Sequence, residues 1–255
     1  MILAIDIGNS NIVLGGLDGD RIAFQARMAT DPVKTADQYR AELKSMLSLF
    51  DLDPRTLEGS IVSSVVPPVS NSIVDAVERL AGHRPLIVGP GIRTGVKIAI
   101  DDPAQAGADL VVAAAAVLAE YGAPACVIDL GTATTITALD RNGVFLGGTI
   151  HPGVRISLSA LTSGTAQLPG ISLEAPKKVI GTNTVDSMRA GILTGTACML
   201  DGMIDRFEQE LGYSLPVIAT GGLAKLVMPL CRRSMILDQD LLLKGLREIY
   251  RRNIK

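Results

Sequence analysis

The stretch Ile5–Asn11, I-D-I-G-N-S-N, is almost restated at Ile128–Thr134, I-D-L-G-T-A-T. Each copy closes an apolar run, Met1–Ile5 in the first and Ala125–Ile128 in the second, and each leads into another β-rich run, Ile12–Leu14 and Ile136–Leu139. Strand, tight turn, strand is the reading of both, with Asp6 and Asp129 at equivalent corners. Glycine in such a turn lets the backbone approach a ligand, and exposed N–H groups with the Ser10, Thr132 and Thr134 hydroxyls suit phosphate oxygens. The carboxylates cannot bind phosphate themselves; they suit a cation, or its waters, that neutralises the phosphate. One copy alone is equally an ordinary hairpin whose Asp and Asn serve the turn. Two copies point to an internal duplication.

The chain of 255 residues is long enough for two ordinary domains, and 47% hydrophobic with 20% charged residues describes a packed globular protein. A net charge of -2 and an aromatic content of 3% give no footing for nucleic acid. No apolar stretch is long enough to span a bilayer, and no secretion signal is visible, so a cytoplasmic protein without membrane partners is expected. Cys126, Cys198 and Cys231 lack metal-ligand spacing and read as reduced core thiols. His83 and His151 are too few for a histidine metal site; His151 reads as hydrogen-bonded and His83 as surface.

Along the chain the pattern predicts a third strand at Arg21–Met28 and a helix over Thr35–Phe50. A strand at Ser60–Val66 is stopped by Pro67-Pro68, a helix follows over Ser70–Leu80 capped by Ser70 or Asn71, and then a strand at Leu86–Val88. Gly89–Pro103 reads as loop, and Gly107–Tyr121 as an alanine-rich helix. The second half repeats the scheme with strands at Ala125–Ile128, Thr134–Leu139 and Val144–Ile150, then a helix over Val154–Leu161. An irregular stretch at Thr162–Lys178 precedes one long helix, Thr184–Leu211, whose small residues suit a subunit or domain seam. A strand at Leu215–Ala219 and an amphipathic helix at Asp240–Arg252 end the chain. The nominal boundary near Gly122 gives domains 1–122 and 123–255.

The whole chain resembles the type III pantothenate kinases of the actin-like, sugar-kinase and heat-shock ATPase superfamily. The matches run in order: D-I-G-N-S-N (Asp6–Asn11), V-S-S-V-V-P (Val62–Pro67), G-A-D (Gly107–Asp109), D-L-G-T-A-T-T (Asp129–Thr135), G-G-T-I-H-P-G (Gly147–Gly153), G-T-N-T (Gly181–Thr184) and A-T-G-G (Ala219–Gly222). The resemblance implies an α/β fold of duplicated actin-like ATPase (ribonuclease H-like) domains with a cleft between them. It implies a homodimer that phosphorylates pantothenate with ATP and Mg2+, the first step of coenzyme A biosynthesis. On the matched positions it makes Asp109 the general base. Asp6, Ile7, Gly8, Asn9, Ser10, Asn11, Ile12, Val13 and Thr132 become nucleotide contacts. Gly107, Ala108, Asp109, Leu110 and Thr184 become substrate contacts, and Asp129 the ligand of a monovalent cation, K+ or NH4+. Elementary chemistry agrees on Asp109, since phosphoryl transfer needs positioning, charge neutralisation and one carboxylate to orient the nucleophile. By residue type alone Asp109 is equally a helix-start carboxylate and Thr184 a helix N-cap.

The departures from the family pattern cluster on the acceptor side. The family continues G-A-D with an arginine that helps hold the pantothenate carboxylate, and this chain has Leu110. Its loop tyrosine is replaced by Ile100, and an asparagine is lost within Val112–Ala114. A carboxylate without its charged clamp is costly to desolvate, unless Arg155 or Lys97 substitutes. A kinase for a less anionic alcohol, and a non-catalytic nucleotide-binding or regulatory protein, are the alternatives this leaves.

Overall fold

In the computed structural model, residues 1–254 are described. The chain divides into two compact units, residues 1–96, 101–121 and 240–255 in the first, and 97–100 and 122–239 in the second. The first unit holds β1 (Ile2–Ile7), β2 (Asn11–Asp18), β3 (Arg21–Ala29), α1 (Ala36–Ser48), β4 (Gly59–Ser64), α2 (Pro67–Ala81) and β5 (Leu86–Ile87). Its five-stranded sheet has the order β3-β2-β1-β4-β5. β1 pairs antiparallel with β2 and parallel with β4, so that Asp6 faces Val13 on one side and Ser63 on the other.

The second unit starts with a short excursion, β6 (Lys97–Ile98), which leaves the first unit's chain to pair with a strand of the second. After α3 (Ala108–Glu120), which belongs to the first unit, come β7 (Ala125–Leu130), β8 (Ala133–Leu139), β9 (Val144–Pro152) and α4 (Val154–Ser163). Then follow α5 (Thr184–Arg189), a π-helical turn at Ala190–Thr194, α6 (Gly195–Leu211), β10 (Val217–Thr220), α7 (Ala224–Val227) and β11 (Ile236–Leu237). The sheet order β11-β10-β7-β8-β9-β6 repeats that of the first unit, with β6 added at one edge. The duplication read from two turns therefore extends to the whole sheet plan.

Several local expectations change. The strand ends at Ser64 ahead of the two prolines as expected, but α2 starts with them at Pro67 and not at Ser70, because a proline in the first turn forfeits no helical hydrogen bond. Neither Ser70 nor Asn71 is its cap. α1 is entered through a capping box, Thr35 with Gln38. The single helix expected over Thr184–Leu211 is interrupted by the π turn. Cys198 is exposed rather than in the core, whereas Cys126 is buried and its thiol is pushed up to about 12. His83 is half-buried and its ring hydrogen-bonds Ser60 at 3.2 Å.

The closing helix α8 (Leu241–Asn253), which a linear division puts with residues 123–255, packs in the first unit. Its apolar face, Leu243, Leu246, Ile249 and Tyr250, joins Ala4 and Ile61 of the sheet and Val112 and Ala115 of α3 in one buried cluster. Gly245 permits this approach: a methyl there would stand 2.0 Å from the Val112 carbonyl oxygen. Buried Arg247 bonds Glu120 at the end of α3 and the Asp20 carbonyl. A second cluster on the opposite face of the sheet contains Leu3, Ile5, Ile7, Ile12 and Leu14 with α1 and α2.

Candidate active site

The first turn is built by the β1–β2 hairpin. The Gly8 N–H donates to the Asn11 carbonyl at 3.0 Å, closing it, and β3 fastens it from outside. Thr30 donates through Oγ1 to the Gly8 carbonyl at 2.6 Å, and its N–H to the Ser10 carbonyl at 3.1 Å. Asn9, Ser10 and Asn11 are exposed, outside the core and able to meet a ligand, while Asp6 is buried. Ile7 and Ile12 turn their side chains into the core and offer a ligand only backbone; Val13 is half-buried. Thr30 escaped the sequence reading because its role is set by strand pairing and not by a motif.

Asp109 lies in the first turn of α3, behind the N-cap Gly107. Its Oδ1 accepts the Leu110 N–H at 2.8 Å. Burial raises its pKa above the ordinary carboxylate value, against the lowering effect of the backbone N–H groups of Leu110 and of Asp109 itself. A methyl at Gly107 would stand 2.5 Å from that oxygen, so the glycine makes room for the carboxylate. Gly107, Ala108 and Leu110 are half-buried around it.

The face of the sheet to which Asp109 belongs can be fixed within the first unit. Side chains alternate along a strand, so Asp6 shares a face with Ala4, and Ser63 with Ile61. Ala4 and Ile61 are the residues that meet α3 and α8. The carboxyl end of α3 is tied through Arg247 to Asp20, just beyond the end of β2 and hence beside the start of β1. The amino end of α3, with Asp109, therefore lies toward the carboxyl ends of β1 and β4, where Asp6 and Ser63 are. The structure thus brings the first turn, Asp6 and Gly107–Leu110 to one end of one face of the first unit.

In the second unit, Asp129 is in register with Thr135 of β8 and with Thr220 of β10. The turn after β10 closes over it: Gly221 has φ +95°, and a methyl there would be 2.4 Å from Asp129 Oδ1. Gln239 holds this turn by donating to the Gly221 carbonyl at 3.1 Å. Thr132 is exposed in the β7–β8 turn, whose Gly131 N–H donates to the Ala133 carbonyl at 3.1 Å. Thr184 lies elsewhere in this unit, exposed at the first residue of α5; its cap is Asn183, whose side chain accepts the Asp186 N–H at 2.9 Å. With Leu161, Leu168 and Met188, Thr184 lines a cavity of about 610 Å³. Ile100 is half-buried near Gly147, Lys97 and Arg155 are exposed, and His151 bonds Thr149 at 2.9 Å.

Among the described residues no group of three His, Cys, Asp or Glu side chains is placed to hold a metal. Magnesium that arrives with phosphate keeps several waters and takes only one or two protein carboxylates. The buried Asp6 beside a turn of exposed polar groups fits such a partly hydrated ion.

Comparison with known proteins gives this arrangement its family. Residues 2–206 match the family model described as type III pantothenate kinase. The chain belongs to the type III pantothenate kinase family. A type III pantothenate kinase of Moorella thermoacetica is 42% identical over 253 residues, covering 99% of this chain and 100% of that protein. One of an Exiguobacterium species is 43% identical over 255 residues, with both chains covered in full. Among solved structures, the activator of 2-hydroxyisocaproyl-CoA dehydratase from Clostridium difficile, solved with bound ADPNP, superposes with a TM-score of 0.59 at 13% identity, covering 98% of this chain and 93% of that one. Component A of (R)-2-hydroxyglutaryl-CoA dehydratase from Acidaminococcus fermentans gives 0.59 at 15% identity, covering 98% and 96%. These two likenesses concern the fold, a duplicated α/β fold of the actin-like ATPase kind. No described helix of this family member is long and apolar enough to cross a membrane.

Proposed function

We propose that the protein phosphorylates the terminal hydroxyl of pantothenate with ATP, giving 4'-phosphopantothenate at the entry to coenzyme A synthesis. The observation that carries this is full-length similarity to type III pantothenate kinases together with a half-buried Asp109 at the amino end of α3. In the reaction the acceptor oxygen attacks the terminal phosphorus of ATP, the bond from that phosphorus to the leaving ADP oxygen breaks, and the hydroxyl proton passes to Asp109. A carboxylate whose pKa is raised by burial is a better proton acceptor than a solvated one. The exposed polar groups of Asn9–Asn11 and Thr132 contact the nucleotide, the first set through the phosphates. Magnesium bound with ATP supplies neutralising charge for the phosphates, and Asp6 would hold it through its waters.

Asp129 serves a monovalent cation, K+ or NH4+, in this reading. Its support is a carboxylate closed in by the backbone of the Gly221 turn. A homodimer is the assembly proposed. Gly191, Gly195, Cys198 and Gly202 are exposed at helical spacing, with open space over each glycine, and Ile150, Val179 and Ile180 of the same unit are also exposed. Gly195→Leu is expected to shift the sedimentation coefficient from dimer to monomer; unchanged sedimentation would remove this face from the interface. The cytoplasm, where thiols stay reduced and ATP is made, is the compartment proposed.

Leu110 favours a second reading, in which the acceptor is a less anionic alcohol. Both are tested by ADP release with magnesium, ATP and potassium, with and without pantothenate, in the wild type and in Asp109→Asn. Pantothenate-dependent release that the substitution abolishes is the expected result. A folded protein that binds ATP but turns over no pantothenate would pass to a screen of other alcohols, and failure of all of them would leave the regulatory reading.

A further inference from the structure

Ser63 is fully buried in β4, and its hydroxyl has no hydrogen-bond partner among the described residues. An orphaned buried hydroxyl destabilises the fold, and a serine in that position could be replaced by alanine without loss of shape. Its place in the sheet gives it a partner to wait for. Ser63 is directly in register with Asp6, on the same face, at the carboxyl end of the parallel pair β1–β4. In open α/β sheets ligands bind outside the carboxyl ends of the strands. The face is the one on which α3 lies, and the amino end of α3 carries Asp109 toward this same end.

The second unit repeats the register, though not the unpartnered hydroxyl. There Asp129 on β7 is in register with Thr220 on the parallel strand β10, and Thr220 is buried. In each half, then, a corner carboxylate has a buried hydroxyl as its parallel neighbour. The duplicated turns do not contain these hydroxyls; the sheet plan supplies them.

We infer that Ser63 is a further positioning residue of the phosphoryl-transfer site, its hydroxyl donating a hydrogen bond to a non-bridging oxygen of the phosphoryl group that passes from ATP to the acceptor. This rests on the reading of the protein as an ATP-dependent kinase, though not on pantothenate being the acceptor. Ser63 keeps its proton throughout: the phosphorus changes oxygen partners, Asp109 takes the acceptor's proton, and the serine hydroxyl holds the moving group between them. Ser63 has no exposed surface in this structure, so the phosphoryl oxygen reaches its hydroxyl only once the groups covering this end of the sheet move aside; the protein has already met the cost of leaving the donor unpaired.

The test is calorimetric titration of the full chain with ADP and with a non-hydrolysable ATP analogue, in the presence of magnesium, for wild type and Ser63→Ala. The expected result is about tenfold weaker binding of the analogue by Ser63→Ala, with ADP affinity unchanged. The variant should melt at or above the wild-type temperature, because an orphaned hydroxyl has been removed, while kcat falls. Ser63→Cys, close in volume but a weak donor, should fall between the two. Equal affinity for the analogue in wild type and Ser63→Ala overturns the assignment and leaves a buried water as the partner. Equal losses for ADP and analogue overturn it as well, moving the contact to the phosphates that remain on ADP. A wild type that binds the analogue but releases no ADP with pantothenate removes the pantothenate reading alone, and the binding comparison still decides this one.

Discussion

The two corners of the molecule, Asp6 beside Ser63 and Asp129 beside Thr220, are copies in plan and differ in what surrounds them. Asp6 is buried, its neighbouring Ser63 hydroxyl is unpaired among the described residues, and the helix on its face brings in a further carboxylate, Asp109. Asp129 is half-buried, and what closes over it is backbone, the Gly221 turn held by Gln239. A duplicated sheet gives each half the same turn and the same paired carboxylate and hydroxyl. The additions make one corner suited to proton and phosphoryl transfer and the other to holding a charge in place. In the proposed reading, the two corners differ in role because of the elements packed against the sheet, not because of the sheet itself.

The largest effect should come from the addition that makes the corners unequal. Asp109→Asn removes the proposed base while keeping shape, and turnover should drop on the order of 10²–10⁴-fold in an ADP-release assay. The same change should stabilise the fold near neutral pH. The folded-state pKa of Asp109 is raised, so the native protein binds its proton more readily than the unfolded chain does. Its ionised form above that pKa therefore destabilises; stability returns as pH falls through the folded value, and the penalty is gone below the unfolded one. The Asp109→Asn variant should melt higher than wild type at pH 7, by about 2 °C or more, and converge with it in acid. A variant that is inactive and less stable at neutral pH would mean that Asp109 is held by partners that favour its charge. The acidic limb of kcat/KM should correspondingly lie above the ordinary aspartate value.

A glycine exchange compares the corners directly. Gly221 combines φ +95° with no room for a methyl, the nearest atom being Asp129 Oδ1 at 2.4 Å. Gly221→Ala should cost about 1–3 kcal/mol and weaken potassium activation, since the added carbon displaces the carboxylate. At Gly8 the nearest atom to a methyl is the Asn11 carbonyl oxygen at 3.2 Å, and its φ is unstrained. Gly8→Ala should cost less than about 1 kcal/mol in a denaturant titration. Equal costs at the two positions would break the contrast between a corner closed by backbone and one left open for a ligand.

What the sequence made legible was whatever depends on neighbours in the chain. The two turns, Asp6, Asp129 and the alanine-rich helix that opens with Gly107-Ala108-Asp109 could all be read, because alternation and turn residues are local signals. Ser63 could not: a serine in a β-branched run carries no mark until register sets it beside Asp6. Nor could the home of α8, because an amphipathic helix declares that it must cover a sheet without saying which one. Short β6 was hidden in a Gly- and Pro-rich stretch, since its pairing with β9 is distant in sequence. The π turn after Arg189 leaves no sign in the helical period, which runs through Ala190–Thr194 unbroken.

The smallest expected change concerns the acceptor, and it asks whether the first corner is complete for pantothenate. Leu110 follows Asp109 on α3 and is half-buried. A guanidinium at this position would stand next to the base and could pair with a carboxylate on the acceptor, a hydrogen-bonded charge pair of about 1.5–3 kcal/mol. Leu110→Arg should therefore lower the KM for pantothenate by about tenfold, with kcat changed little and KM for ATP unchanged. The split matters, because a clamp that binds substrate and transition state alike moves KM and not kcat. An unchanged KM for pantothenate, in a variant that folds and turns over, would show that another cation such as Arg155 or Lys97 already holds the carboxylate. A raised KM, with better turnover of a neutral alcohol in the wild type than in the variant, would instead show that Leu110 belongs to a pocket built for an uncharged acceptor.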